Sequence, residues 1–264
     1  MNERMITFNP LRSSGMPRVQ YIKPEAMYSH IPEIQTASWV LFPAYWQVNT
    51  LSYALKKRIF PSVSTYHLGH NKIEQTRALM AVTPNHIPQT LIAANTDAGL
   101  DEVRERFDFP IIGKDVRSAQ GKGVFLLKNR RDLKEYAADR ETLYIQEQLP
   151  IDRDLRVVYV GDKVIASYWR IGDGTSHLNN VAQGGTICYS PVPLEALELV
   201  TGIAQELGVD HAGFDMALVD GHWYVLEFNV FFGTKGLSPL KLPVGLIIQD
   251  YLEGRARSLL TEVG

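Results

Sequence analysis

Two carboxylates near the end of the chain constrain the fold more than any other feature. Asp215 closes Ala212-Gly-Phe-Asp215, and Glu227 sits in Tyr224-Val-Leu-Glu-Phe-Asn229, twelve residues further on. Both lie among apolar and aromatic residues that favour strands, with Asp220-Gly221-His222 between them as a reversal. Phe214–Val219 and Trp223–Phe228 therefore read as a hairpin. Residues two apart on a strand share a face, so Glu227 and Asn229 point together. A two-residue turn would pair Asp215 with Leu226 and send the acids to opposite faces. A three-residue turn, Asp220-Gly221-His222, pairs Asp215 with Glu227, and this turn is the expectation. Carboxylates opposed across a ladder repel, and a bound cation removes that penalty. Asp, Glu and the Asn carbonyl suit a hard ion such as Mg²⁺. The alternative is three polar residues on a solvated sheet face; the neighbours Val225, Leu226 and Phe228 weigh against it.

Composition excludes several classes. The 264 residues suffice for one large domain or two small ones, and a net charge of −2 draws the chain neither to nucleic acid nor to anionic membrane. No apolar run approaches the ~18 residues of a membrane span; the longest, Ala37 to Trp46, contains Pro43. Met1 to Gly15 is polar and carries no core like that of a signal peptide. Cys188 is the single cysteine, so no internal disulfide can form, and the cytoplasm is the expected compartment.

The first seventy or so residues hold two short strand candidates, Val19–Ile22 and Trp39–Leu41, among prolines and aromatics, with little helical periodicity. Beyond them the signals sharpen. Asn71 caps a helix to about Ala81 that Pro84 stops; Pro88–Ala93 reads as a strand; Thr96 starts a helix that ends before Pro110. Ile111–Lys114 and Val124–Leu127 flank Ser118-Ala-Gln-Gly-Lys-Gly123, Asn129 caps a polar helix, and Leu143–Gln146 is a further strand. Gly161-Asp162 joins Leu155–Val160 to Lys163–Trp169 as a hairpin. Leu194, Leu197, Val200, Ile203, Ala204 and Leu207 form one helical face that ends at Gly208, and a last helix covers about Val244 to Leu260. The class is α+β.

Several segments could hold phosphates. Glycines in Ser118–Gly123 let backbone N–H groups approach phosphate oxygens, although many hairpins have glycine tips. Lys72 and Lys114 are candidate point charges, and Lys114 ends an apolar strand where surface lysines are uncommon. Gln146-Glu147-Gln148-Leu149 could offer backbone groups to an adenine edge. His67 and His70 are spaced for a metal but lack a third ligand, and Cys188 has no activating neighbour. No P-loop signature is present.

Taken in order, Asn71-Lys72, Lys114, Gln120-Gly-Lys-Gly123, Gln146-Glu147, Asp154-Leu-Arg156, Asn180 before Gly184-Gly185, Ala212-Gly-Phe-Asp215 and Glu227-Phe-Asn229 form a set more specific than any member. Over about His70 to Gly236 the chain resembles the ATP-grasp superfamily, in the branch of the RimK-like ribosomal protein S6 glutamate ligases. The resemblance implies an ATP-grasp fold in which two α+β lobes, 70–148 and 149–264, clamp ATP behind a short N-terminal subdomain, 1–69. It implies phosphate contacts from Lys72, Lys114, Ser118, Gln120, Gly121 and Gly123. Glu147, Gln148 and Leu149 would lie at the adenine, Asp154 at the ribose, and Asn179 and Asn180 at nucleotide and phosphates. Asp215, Glu227 and Asn229 would hold Mg²⁺, two ions in the usual arrangement, with Mn²⁺ as a substitute. Arg156, with Lys114, would serve the transferring phosphoryl group.

The reaction implied joins a carboxylate to an amine through an acyl phosphate, with small-molecule or peptide substrates, no nucleic acid or membrane partner, and a homo-oligomer as a possible assembly. An ATP-grasp kinase acting on a hydroxyl and a non-catalytic ATP-binding module are the alternatives. Two departures from the family pattern fall beside the metal ligands: Phe232 stands where proline is common, and Lys235 adds a charge on the acceptor side. They leave the substrate open.

Overall fold

A computed structural model describes residues 4–116, 123–172 and 185–262, with side chains to Arg255. Three sheets follow one another along the chain. The first is parallel, ordered β2-β1-β3-β4, from β1 (Met5–Thr7), β2 (Val19–Tyr21), β3 (Trp39–Leu41) and β4 (Ile59–Phe60). Short helices α1 (Ile31–Thr36) and α2 (Tyr45–Asn49) lie between its strands. Helix α3 (Val63–His70) leads into α4 (Lys72–Val82) through Asn71, whose side chain accepts from the Ile73 N–H at 2.9 Å.

The second sheet is antiparallel, ordered β5-β8-β6-β7, from β5 (Thr90–Ala94), β6 (Ile111–Lys114), β7 (Val124–Leu127) and β8 (Thr142–Glu147). Helices α5 (Asp97–Arg106) and α6 (Arg130–Ala137) start at Thr96 and Asn129, whose side chains accept from backbone N–H groups as the sequence predicts. Val103, Phe107, Leu133 and Tyr136 pack with Leu91, Ile111, Leu127 and Ile145 of the strands.

The third sheet is antiparallel, ordered β11-β10-β9-β12-β13, from β9 (Arg153–Val160), β10 (Lys163–Ile171), β11 (Thr186–Cys188), β12 (His211–Val219) and β13 (His222–Asn229). The pleat of β9 divides its residues. Leu155, Val157 and Tyr159 join a core with α7 (Leu194–Leu207) and with Leu79 of α4. Val158 and Val160 face the other way, toward α8 (Val244–Glu262) and the N-terminal residues Trp39, Leu41 and Phe60. Asp154 and Arg156 share that second face. Gly208 closes α7 at φ 64°, the left-handed position that glycine takes without strain.

The turn between β12 and β13 corrects the sequence expectation. Val219 pairs with His222, so the turn has two residues, Asp220 and Gly221, at φ 49° and 80°. Positive φ at both positions matches the right-handed twist of the strands. Asp215 nevertheless pairs with Glu227, because a bulge makes Met216 pair with Val225 and leaves Leu226 over. Val225 and Phe228 both reach the core with α7, while Glu227 and Asn229 turn to the opposite face. An uninterrupted ladder would have placed Val225 and Glu227 on one side.

The N-terminal part is pinned to the third sheet by a buried carboxylate. Asp210, just before β12, accepts from the Ser62 N–H at 2.8 Å and the Thr65 hydroxyl at 3.1 Å. Burial outweighs these bonds and raises its pKa to about 6.

Candidate functional site

The site forms where α4, the end of β6 and the far end of the third sheet meet. Gln75 fixes α4 to β13: its side-chain amide donates to the Phe228 carbonyl at 2.8 Å and accepts from the Phe228 N–H at 3.0 Å. This places Lys72, on the first turn of α4, against Glu227, and its ammonium donates to Glu227 Oε2. Asn229 Nδ2 donates to Glu227 Oε1 at 3.1 Å. Lys114 ends β6 in a buried position, its ammonium 5.6 Å from the centre of the Tyr144 ring. The Tyr136 hydroxyl holds the Lys114 carbonyl at 2.7 Å.

Burial pulls the Lys114 pKa down to about 8, with Glu227 opposing the shift and Lys72 adding to it. Burial works on Glu227 in the other direction, but Lys72 and Lys114 prevail and hold its pKa near 2. At neutral pH Glu227 is therefore ionised between two lysines.

Next to this triad lies a second charge array. Asp215 and Arg156 are directly opposed in the β12–β9 ladder. Arg156 Nη2 donates to Asp215 Oδ2 at 3.1 Å, while its Nε approaches Oδ1 to 2.5 Å off the hydrogen-bonding direction, as an ion contact. Arg170 bridges two acids, with Nη2 3.0 Å from Asp215 Oδ1 and Nε donating to Asp154 Oδ1 at 2.5 Å. Burial pushes Asp154 up to about 6, while Arg170 opposes and Asp215 adds to the shift. For Arg170 burial acts to lower the pKa, and Asp215 and Asp154 overcome it and raise the pKa. The arrangement depends on Gly213: a Cβ there would overlap Arg156 Nη1 and come 2.8 Å from Phe232 Cβ.

The opposed pair Asp215 and Glu227 thus has its repulsion offset from both sides, by guanidinium groups on one acid and ammonium groups on the other. The donors fit a hard cation: Asp215, Glu227 and Asn229 share a sheet face, and Glu227 and Asn229 already touch. No described cluster of three or more His, Cys, Asp or Glu side chains could enclose a metal. An ion here would complete its shell from outside the protein, as Mg²⁺ does with substrate phosphates.

Of the residues singled out in the sequence, Lys72, Lys114, Arg156, Asp215, Glu227 and Asn229 are brought together. Glu147 ends β8, its side chain accepting from the Gln89 N–H at 2.6 Å, with Gln148 exposed and Leu149 half-buried behind it. Asp154 is buried against Arg170. The Gly123 carbonyl accepts from the Asp115 N–H at 2.7 Å. Ser118, Gln120, Gly121, Asn179 and Asn180 lie outside the described residues. Arg170 was missed; the cue was an opposite charge across the β9–β10 hairpin from Asp154. His67 and His70 have other roles: His67 Nε2 lies 3.1 Å from Asn49 Oδ1, and His70 stacks on Tyr45 at 3.5 Å. His211 is a packing residue, driven by burial to a pKa of about 3, with Nδ1 2.9 Å from the Val230 carbonyl.

A family model described as the RimK-like ATP-grasp domain matches residues 70–251, more than half of the chain. N-acetylaspartylglutamate synthase A of Mus musculus is 29% identical over 58% of this chain and 42% of its own length. Tetrahydromethanopterin:alpha-L-glutamate ligase of Methanocaldococcus jannaschii is 29% identical over 58% of this chain and 56% of its own. The chain thus spans about half the length of these curated relatives. The crystal structure of D-alanine–D-alanine ligase from Bacillus anthracis superposes with a TM-score of 0.72 at 12% identity, covering 99% of this chain and all of that one (100%). The fold is that of the ATP-grasp proteins.

Proposed function

The chain belongs to the RimK-like ATP-grasp family, and from that premise we propose that it is an ATP-dependent ligase joining a carboxylate to an amine. The observation that carries the proposal is the pair of charge arrays formed around Glu227 and Asp215, which share one face of the third sheet: Lys72 of α4 and Lys114 of β6 with Glu227, beside Arg156 and Arg170 with Asp215. Segments 70–148 and 149–264 act as the lobes that close on the nucleotide, with 1–69 in front of them. Lys72 and Lys114 supply positive charge to its phosphates. Ser118, Gln120, Gly121 and Gly123 cover them, with Asn179 and Asn180 alongside. Glu147, Gln148 and Leu149 lie beside the adenine. Asp154 works through Arg170, which it positions.

Asp215, Glu227 and Asn229 would hold Mg²⁺, two ions or Mn²⁺ in their place, which neutralises phosphate charge when bound. Arg156, fixed by Asp215, faces the phosphoryl group as it passes to the substrate carboxylate. The substrate carboxylate attacks the γ-phosphate, ADP leaves, and an acyl phosphate remains. An amine then attacks the acyl carbon and phosphate leaves. No protein nucleophile enters these steps, so the chain's contribution is positioning and charge compensation. No described helix is long and apolar enough to cross a membrane, and we place the reaction in the cytoplasm with small-molecule or peptide substrates.

ADP release is measured with MgATP, a pool of amino and keto acids, and hydroxylamine as a general amine. Hydroxamate formed from one acid identifies the donor and supports the ligase. ADP with a stable phosphorylated product and no hydroxamate points to a kinase, and MgATP binding without turnover on any pool points to a binding module.

A further inference from the structure

A cavity of about 570 Å³ lies at the joint between the N-terminal sheet and the third sheet, and the proposed reaction makes no use of it. Its walls come from β3, from the approach to β4, from the start of α3, from the Gly161-Asp162 turn and from α8. Arg156 and Gly161 are five residues apart along the chain of β9, which puts the cavity roughly 16 Å from the charge arrays by the rise of an extended strand. One edge of the joint is the Asp210 contact: the Ser62 N–H donates to that carboxylate at 2.8 Å, and the Ser62 hydroxyl donates to the Gly208 carbonyl at 2.7 Å.

Positive charge and unused donors gather on these walls. Lys57 Nζ donates to the Gln35 carbonyl at 3.1 Å, the Arg58 guanidinium carbon lies 5.6 Å from the centre of the Trp39 ring, and Arg255 Nη1 donates to the Tyr251 hydroxyl at 3.2 Å. Among the described residues no carboxylate forms an ion pair with any of these three cations. Two carboxylates line the cavity, but Asp210 is already bound to Ser62 and Thr65, which leaves Asp162 against three cations. Burial lowers the Lys57 pKa and the neighbouring Arg58 charge adds to the shift, so positive charges here oppose one another. Trp39 is 6% exposed, and its Nε1, like Ser52 Oγ, has no hydrogen-bond partner, although both residues line the cavity. Buried polar groups are ordinarily paired, and an indole N–H can only donate.

The lining therefore matches an acceptor-rich anion. Three cations and an N–H exceed what the two oxygens of one carboxylate can accept, whereas a phosphate group brings three acceptor oxygens and up to two negative charges. The volume is that of an ordinary small-molecule pocket. We propose that this cavity is a second ligand site, separate from the nucleotide site, that takes a phosphate-bearing small molecule. Lys57 and Arg58 meet the ligand from the N-terminal side and Arg255 from α8, so an occupied cavity ties the N-terminal sheet to the third sheet. The proposal does not depend on the ligase reading.

Wild-type protein is titrated by calorimetry against inorganic phosphate, pyrophosphate and ribose 5-phosphate, with ribose as the uncharged control. The same titrations are run on the double variant Arg58→Gln/Arg255→Gln and on Lys114→Met, a change at the nucleotide site. Arg58 and Arg255 are exposed, and thermal unfolding without any probe checks that the double variant is folded. The expected result is one molecule of at least one phosphorylated probe bound per chain, with a Kd of about 1 mM or tighter, and no binding of ribose. Affinity should fall about tenfold or more in the double variant and stay unchanged in Lys114→Met. Wild-type protein that binds none of the phosphorylated probes, or a double variant that binds them as tightly as wild type, overturns the proposal. A loss confined to Lys114→Met overturns it too, because the binding then belongs to the nucleotide site.

Discussion

Replacing Glu227 by Gln removes one negative charge and little volume, and the structure gives the size of the effect. The Glu227 side chain is 23% exposed and lies between Lys72 and Lys114, which bring its pKa from the ordinary 4.5 to about 2. That difference corresponds to ~3 kcal/mol of folding stability at neutral pH. Lys114 enters with the opposite sign, because its drop from 10.5 to about 8 costs roughly as much while it stays protonated. Glu227→Gln keeps the Lys114 cost and discards the compensation. A loss of about 3 kcal/mol is expected at pH near 7, measured by urea unfolding. A depressed carboxylate contributes above its unfolded pKa and loses that contribution as pH falls. The gap between wild type and variant should therefore narrow from about pH 4.5 downward and nearly close toward pH 2. Mg²⁺-dependent turnover should be abolished at every pH. Equal stability at neutral pH, or a gap that does not narrow in acid, would refute the placement of Glu227 between the lysines.

Lys114→Met should leave stability unchanged or slightly higher, because a costly buried charge becomes apolar, while MgATP affinity falls about tenfold or more by equilibrium titration. In the wild type, affinity for MgATP should hold below pH 8 and decline above it as Lys114 loses its proton, a decline absent from Lys114→Met. Gly213→Ala should cost about 1–3 kcal/mol in thermal or urea unfolding, because its methyl group meets Arg156 and Phe232; activity should fall further than nucleotide binding as Arg156 leaves Asp215.

What was legible in the sequence was local. Asn71, Thr96 and Asn129 each cap the helix they were expected to start, because a capping bond needs only the next two or three residues. The β9–β10 hairpin and the amphipathic α7 followed for the same reason. The N-terminal sheet was harder to read. Met5–Thr7 is buried throughout and Ile59–Phe60 has two residues, so neither shows an alternating pattern. The short helices α1, α2 and α3 went unread among the prolines and aromatics. The β12–β13 turn was assigned a residue too many because the register depends on the bulge at Leu226. That bulge satisfies two distant surfaces at once, the α7 core and the charged face, and no local signal marks it. Lys72, Lys114, Asp215 and Glu227 were legible as candidates; that Lys72 sits against Glu227 depends on Gln75 tying α4 to β13, across 153 residues of sequence. Arg170 needs the β10 register shift to meet Asp154.

In the proposed reaction the substrate carboxylate attacks ATP directly, beside Lys114 and Arg156. The most direct measurement follows a heavy oxygen isotope from the carboxylate of whichever acid supports ADP release, with its amine partner or hydroxylamine present. An acyl phosphate requires one labelled oxygen to appear in the phosphate released for each bond formed, and that is the predicted result. Unlabelled phosphate from a turning-over enzyme, with the label retained in the acid, would contradict the account.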